Sequence, residues 1–137
     1  MPKYGKRSTN NLNEAHEDLQ IIFTEVIKYF DNSIICGHRG EEAQMKAYNG
    51  KKSKVKWPDS KHNKIPSEAV DAVPYPINWK DVNRMRYFAG HVVMCANMLF
   101  DAGLIKHRVR TGLDWDKDTQ VNDQSFIDAP HFELYIP

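Results

Sequence analysis

His131-Phe132-Glu133-Leu134-Tyr135-Ile136, at the end of the chain, alternates in the manner of a β-strand half-buried in a sheet. Successive strand side chains leave opposite faces, so His131 and Glu133 share one face while Phe132 and Leu134 share the other. The second pair suits a core, and the first is left for polar work. Just upstream stands Asp128-Ala129-Pro130. Proline lacks an amide donor and restricts the residue before it, which predicts a bend between Asp128 and the strand.

Working outward from this strand, Asp114 to Pro130 is acidic and irregular, and His107 to Leu113 reads as a strand with basic residues on one face. Val82, Met85, Ala89, Val92, Val93, Ala96, Leu99 and Phe100 recur at helical spacing and define a long helix closed near Asp101-Ala102-Gly103, with Asn78 and Asp81 as a capping pair at its start. Ala69 to Val73 is a strand ended by Pro74 and Pro76. Residues 51–66 have no period, many lysines and two prolines, and form a long surface loop. Before it, Glu41 to Tyr48 reads as a short helix closed by Asn49-Gly50, after the turn Gly37-His38-Arg39-Gly40 and the short buried strand Ile34-Ile35-Cys36. Leu12, Ala15, Leu19, Ile22, Phe23, Val26 and Phe30 predict one first helix, capped by Asn11 with Glu14. Helices mixed with short, separated strands make this an α+β chain, and its length suits one domain over residues 1–137 with no second one.

A net charge of +1 offers no global field for nucleic acid, so no nucleic-acid partner is expected. The charge is uneven all the same: Lys46, Lys51, Lys52, Lys54, Lys56 and Lys61 stand against Asp59 alone. That run is either a solvated face or a basic rim for an anionic polymer. Cys36 and Cys95 sit in apolar runs, form no CxxC pair, and suit buried free thiols of a protein folded in reducing cytoplasm. The basic N-terminus lacks the apolar stretch of a secretory signal, and no run is long enough for a membrane span, so no stable membrane insertion is expected.

His62, Asp71 and His131 border or occupy predicted strands. Two imidazoles and a carboxylate suit zinc and leave a fourth position for water. From the residues alone this triad is one of several, and a solvated His62 or a turn-forming Asp71 remains an alternative. Asp114, Asp116 and Asp118 alternate, but without the glycine and terminal glutamate of an EF-hand loop they define no calcium site.

The stretch from Ser60-Lys61-His62 to Ala69-Val70-Asp71, followed by Asp128-Ala129-Pro130-His131-Phe132-Glu133-Leu134, resembles the zinc D-alanyl-D-alanine carboxypeptidase and L-alanyl-D-glutamate peptidase family, in particular its small phage endolysin branch. Gly37-His38-Arg39 with Gln44 is similar to that family's glycine-x-arginine motif and following glutamine, and Gly112-Leu113-Asp114-Trp115-Asp116 to the segment before the last zinc ligand. The resemblance spans about residues 34–136 in the right order. One departure is the nine-residue step from His62 to Asp71, where many relatives have seven; Pro66-Ser67 lies in the longer stretch and is expected to alter access to the cleft.

The resemblance implies a hedgehog/DD-peptidase-like fold, with helices packed on a short, mainly antiparallel sheet that carries a zinc cleft. It implies Zn2+ on His62, Asp71 and His131, Asp128 as general base, Arg39 on a substrate carboxylate or carbonyl, Gln44 on the same side of the pocket, and Ser60 tying down the first ligand loop at the substrate side. Trp115 and Trp57 are each either cleft lining or packing, Trp79 packs a helix end, and His38 is placed to reach the site from the Gly37 turn. Glu133 is either a partner orienting an imidazole or a plain strand carboxylate. His16, His91 and His107 read as packing or surface residues.

The function implied is zinc-dependent hydrolysis of peptidoglycan stem peptides, as an L-alanyl-D-glutamate endopeptidase acting in host lysis. A D-alanyl-D-alanine carboxypeptidase with the same metal and base is the near alternative, and a noncatalytic zinc-stabilised wall-binding module the distant one. A glycosidase is less apt, since it gives His62 and His131 no task. The phage analogy implies a monomer made in the host cytoplasm and passed to the periplasm and wall by a separate holin-like protein.

Overall fold

The computed structural model describes residues 2–137. Four strands form one antiparallel sheet in the order β1-β2-β4-β3, with β1 at Asn32–Cys36, β2 at Ala69–Pro74, β3 at Arg108–Thr111 and β4 at His131–Tyr135. This is the α+β architecture expected. Val70 on β2 stands opposite Phe132 on β4, and Leu134 opposite Val109 on β3. All four are buried together, which makes this the core face of the sheet.

Helices α2 (Glu17–Val26) and α4 (Val82–Asp101) cover that face. Phe23 from α2 and Phe88 from α4 both meet Phe132 edge to face, at ring separations of 5.7 and 5.8 Å, an arrangement aromatic quadrupoles favour. Asp81 alone provides the N-cap of α4, its side chain accepting from the Arg84 amide, while Asn78 Oδ1 accepts from the Lys80 amide. The short helix α3 (Glu41–Asn49) starts after Gly40.

The single first helix expected over residues 12–30 is two. The helix α1 (Lys6–Asn13) starts five residues before Asn11, which lies within it and donates to the Ile34 carbonyl instead of capping. The chain breaks at Glu14-Ala15-His16, and His16 caps α2 by accepting the Asp18 amide on its Nδ1. The break has a long-range cause: Ala15 bridges Ser67, the His16 amide donates to the Ser67 carbonyl, and the Ser67 amide donates to the Glu14 carbonyl. Thus the extra residues between His62 and Asp71 dock on the helix break. Cys36 and Cys95 are free, but half-buried rather than buried.

Candidate metal centre

Asp71 and His131 are direct cross-strand partners on the face of the sheet turned away from the helices. The register alone therefore brings a carboxylate beside an imidazole. His62 arrives from a single 3-10 turn at Lys61–Asn63, capped by Ser60, whose Oγ accepts from the His62 amide and whose own amide donates to Asn63. Arg39 and this turn fasten to each other, the Arg39 amide donating to the His62 carbonyl and Asn63 Nδ2 to the Arg39 carbonyl. Gly37 makes the approach possible: a Cβ there would sit 2.2 Å from the Asn11 carbonyl oxygen, and its own carbonyl oxygen receives His62 Nδ1 at 2.8 Å.

These contacts leave His62 Nε2 3.1 Å from Asp71 Oδ1 and His131 Nδ1 3.6 Å from the same oxygen. Zinc bonds of ordinary length in a tetrahedron hold ligand atoms roughly 3.3 Å apart, so the spacing fits the ion. All three residues are buried, and their ligand atoms lie within 4.8 Å of one another. Burial lowers the His62 imidazole pKa, but the Asp71 carboxylate outweighs it and lifts the ring to about 10. Burial likewise opposes ionisation of Asp71, yet His62 and His131 hold it well below the usual carboxylate range. The pocket stabilises positive charge beside a fixed anion, as a cation site must.

Asp128 stands at the open side. Its Oδ2 is 3.8 Å from His131 Nδ1, and the carboxyl is pushed up to about 6, first by burial and then by the negative charge of Asp71. The predicted bend is present: the His131 amide donates to the Asp128 carbonyl, and the Asp128 amide to the Gly112 carbonyl. Gly112 is needed there, because a Cβ would meet the Asp128 carbonyl oxygen at 2.1 Å.

A cleft of about 370 Å³ opens over the site, lined among others by Arg39, Ser60, His62, Trp115, Asp128 and His131. Arg39 donates to Asp71 Oδ2 at 3.3 Å and to Gln44 Oε1 at 3.1 Å. Gln44 is fully buried and outside the cleft lining. Its oxygen accepts from Arg39 and Asn63, and its nitrogen donates to Ser53 Oγ and the Val55 carbonyl. Trp115 lines the cleft, its ring centroid 5.4 Å from His131 and stacked on Phe126 at 6.2 Å. Trp57 and His38 do not line it, and Trp79 is 55% exposed instead of packing a helix end. The lysine run sends Lys54 and Lys61 to the cleft wall.

Of the two readings of Glu133, the partner of an imidazole is the one the structure shows, while Arg110 and Phe126 were not singled out in the sequence. Glu133 Oε1 accepts from His131 Nε2 at 2.8 Å, and its Oε2 from Arg110 at 2.7 Å. Burial raises the Glu133 carboxyl, but these partners, His131 foremost, bring it down to about 2. The basic alternation Arg108-Val109-Arg110 was the available hint of Arg110; its partner depends on strand register. Phe126, in an irregular acidic segment, had none.

No helix among the described residues is long and apolar enough to cross a membrane. No curated protein matches the chain. Among solved structures it is similar to the crystal structure of the L-Ala D-Glu endopeptidase ChiX of Serratia marcescens, with a TM-score of 0.69 and 24% identity over 97% of this chain and 90% of that one. At that identity the likeness speaks for the fold. A family model described as phage L-alanyl-D-glutamate peptidase matches residues 1–135. With its buried His62-Asp71-His131 zinc centre on that fold, the chain belongs to the phage L-alanyl-D-glutamate peptidase family, zinc metallopeptidases that hydrolyse the stem peptides of peptidoglycan.

Proposed function

We propose that this chain cuts the bond between L-alanine and D-glutamate in the stem peptide, with Asp128 as its general base. The observation that carries the reading is the place of the Asp128 carboxylate at the cleft beside the ligand triad, its Oδ2 3.8 Å from His131 Nδ1, in a chain that the phage L-alanyl-D-glutamate peptidase model matches over residues 1–135. His62 Nε2, Asp71 and His131 Nδ1 would hold the zinc ion, which when bound would supply a Lewis acid for the scissile carbonyl and for water.

Asp128 accepts the proton of the attacking water on a carboxylate oxygen and returns it to the leaving amine. Arg39 offers a planar fork of donors to a substrate carboxylate or carbonyl, while its contacts to Asp71 and Gln44 fix its angle. Gln44, which the family motif would place near substrate, acts through Arg39 and the 53–55 rim, because all its hydrogen-bonding capacity is already met within the protein. Ser60 holds the turn that delivers His62. Trp115 and Phe126 form an apolar wall that excludes water from the reacting bond.

Mass analysis of fragments released from purified peptidoglycan by zinc-loaded protein, with D128A as control, tests the reading. New L-alanine carboxyl ends opposite D-glutamate amino ends, absent with D128A, are expected. Loss of terminal D-alanine alone would assign a carboxypeptidase, and tight zinc binding with no cleavage of any wall type would assign a noncatalytic module.

A further inference from the structure

The two imidazoles of the metal centre present different nitrogens and are backed by different groups. His62 rests its Nδ1 on the neutral Gly37 carbonyl and turns Nε2 to the site, whereas His131 gives Nε2 to the Glu133 carboxylate and turns Nδ1 to the site. A hydrogen bond from Nε2 keeps the ring proton there and leaves the Nδ1 lone pair free for a metal. Glu133 lies two residues beyond His131, on the same face of β4, and only 6% of it is exposed.

A buried carboxylate needs partners, and the sheet supplies them. Arg110 on β3 is the register partner of Glu133 and donates Nη2 to its second oxygen. Lys61 Nζ stands 3.9 Å from the same oxygen and donates to the Leu134 carbonyl. Arg110 also donates Nη1 to the Trp115 carbonyl, and its guanidinium lies 5.2 Å from the centre of the Trp115 ring, which is tilted against His131. The same arginine therefore holds the group at the edge of His131 and the group beside its ring.

We propose that Glu133, clamped by Arg110, is a positioning residue for the metal centre: it fixes the tautomer and tilt of His131 so that Nδ1 is the ligand atom. This rests on the zinc reading of His62, Asp71 and His131. A plain surface ion pair would leave the imidazole indifferent to Glu133; here one carboxylate oxygen is committed to the ring and the other to the clamp.

The test measures zinc affinity by competition with a chromophoric chelator, together with the visible spectrum of the cobalt-substituted protein, for wild type, E133A, E133Q and R110M. Melting of each metal-free variant reports folding separately. E133A is expected to bind zinc roughly 10- to 100-fold more weakly with an altered cobalt spectrum. E133Q keeps an acceptor for Nε2 and recovers part of that loss, and R110M shifts affinity and spectrum in the same direction as E133A by less. A folded E133A with wild-type zinc affinity and cobalt spectrum overturns the proposal, as does a folded E133Q as weak as E133A. If E133A does not fold, E133Q and R110M decide: wild-type affinity and spectrum in both overturn it, and weakening in both upholds it. Failure of the wild type to bind zinc would instead sink the metal reading beneath it.

Discussion

Replacing the proposed base should stabilise the metal-free protein while destroying its activity. Asp128 is pushed up to about 6 by burial and by Asp71, and its nearest basic atom, His131 Nδ1, is 3.8 Å away. A carboxyl titrating near 6 instead of about 4 makes ionisation about 3 kcal/mol less favourable in the folded chain than in the unfolded one. The sign follows from proton counts. Between pH 4 and 6 the folded state holds the extra proton, so stability falls as pH rises through this window and the full penalty is present above about 6. D128N removes the ionisation and keeps nearly the same shape. For 137 residues, with unfolding entropy about 0.29 kcal/mol/K, the expected gain at pH 7.5 is about 10 °C in Tm. The gain should shrink as pH falls below about 6 and become small near pH 4. Thermal melts of chelator-treated wild type and D128N across pH 4–8, beside wall-cleavage assays of the zinc-loaded pair, measure both halves. A D128N melting point at or below wild type at pH 7.5, or a gain that does not change with pH, would refute the electrostatic argument.

Three further perturbations test other joints of the site. Gly112→Ala forces a Cβ against the Asp128 carbonyl, so it should cost on the order of 2 kcal/mol and displace the base, seen as a lowered Tm with a larger fall in kcat than in zinc affinity. Gln44→Ala strands the partners of a fully buried amide, including Arg39 and the Val55 carbonyl, and should cost on the order of 3 kcal/mol in denaturant unfolding while raising KM through the loosened Arg39. Asp18 accepts from His107 Nδ1 and the Lys106 amide; burial opposes its ionisation, but these partners hold its pKa below the usual value. Its stabilisation is therefore present above about pH 4 and lost as pH falls through the lower folded value, so the destabilisation of D18N should be full at pH 7 and decline in acid melts.

The legibility of the chain in its sequence followed the range of the interactions. α4, α3 and the terminal strand rest on local periodicity and were readable to within a residue or two. The break between α1 and α2 was not, because apolar spacing runs unbroken through it and its cause is Ser67, more than fifty residues away. His62, Asp71 and His131 were found as residue types in a family order, yet their convergence depends on the β2–β4 register and on the Ser60 cap. Arg110 and Phe126 were missed for the same reason: only pairing across the sheet and a fold of the irregular acidic segment bring them to the cleft.

The alternation of β4 explains how so small a chain can carry both a core and a metal centre. Phe132 and Leu134 are fully buried against α2, α4 and Val109, anchoring the strand from one side. Loss of such a side chain to alanine costs about 2–5 kcal/mol, so slippage of the strand is strongly opposed. A slip of one residue would turn both into the cleft and take His131 and Glu133 into the core. The hydrophobic pair thus fixes the register that pairs His131 with Asp71 and Glu133 with Arg110, and the precision of the metal centre is inherited from the packing of the opposite face.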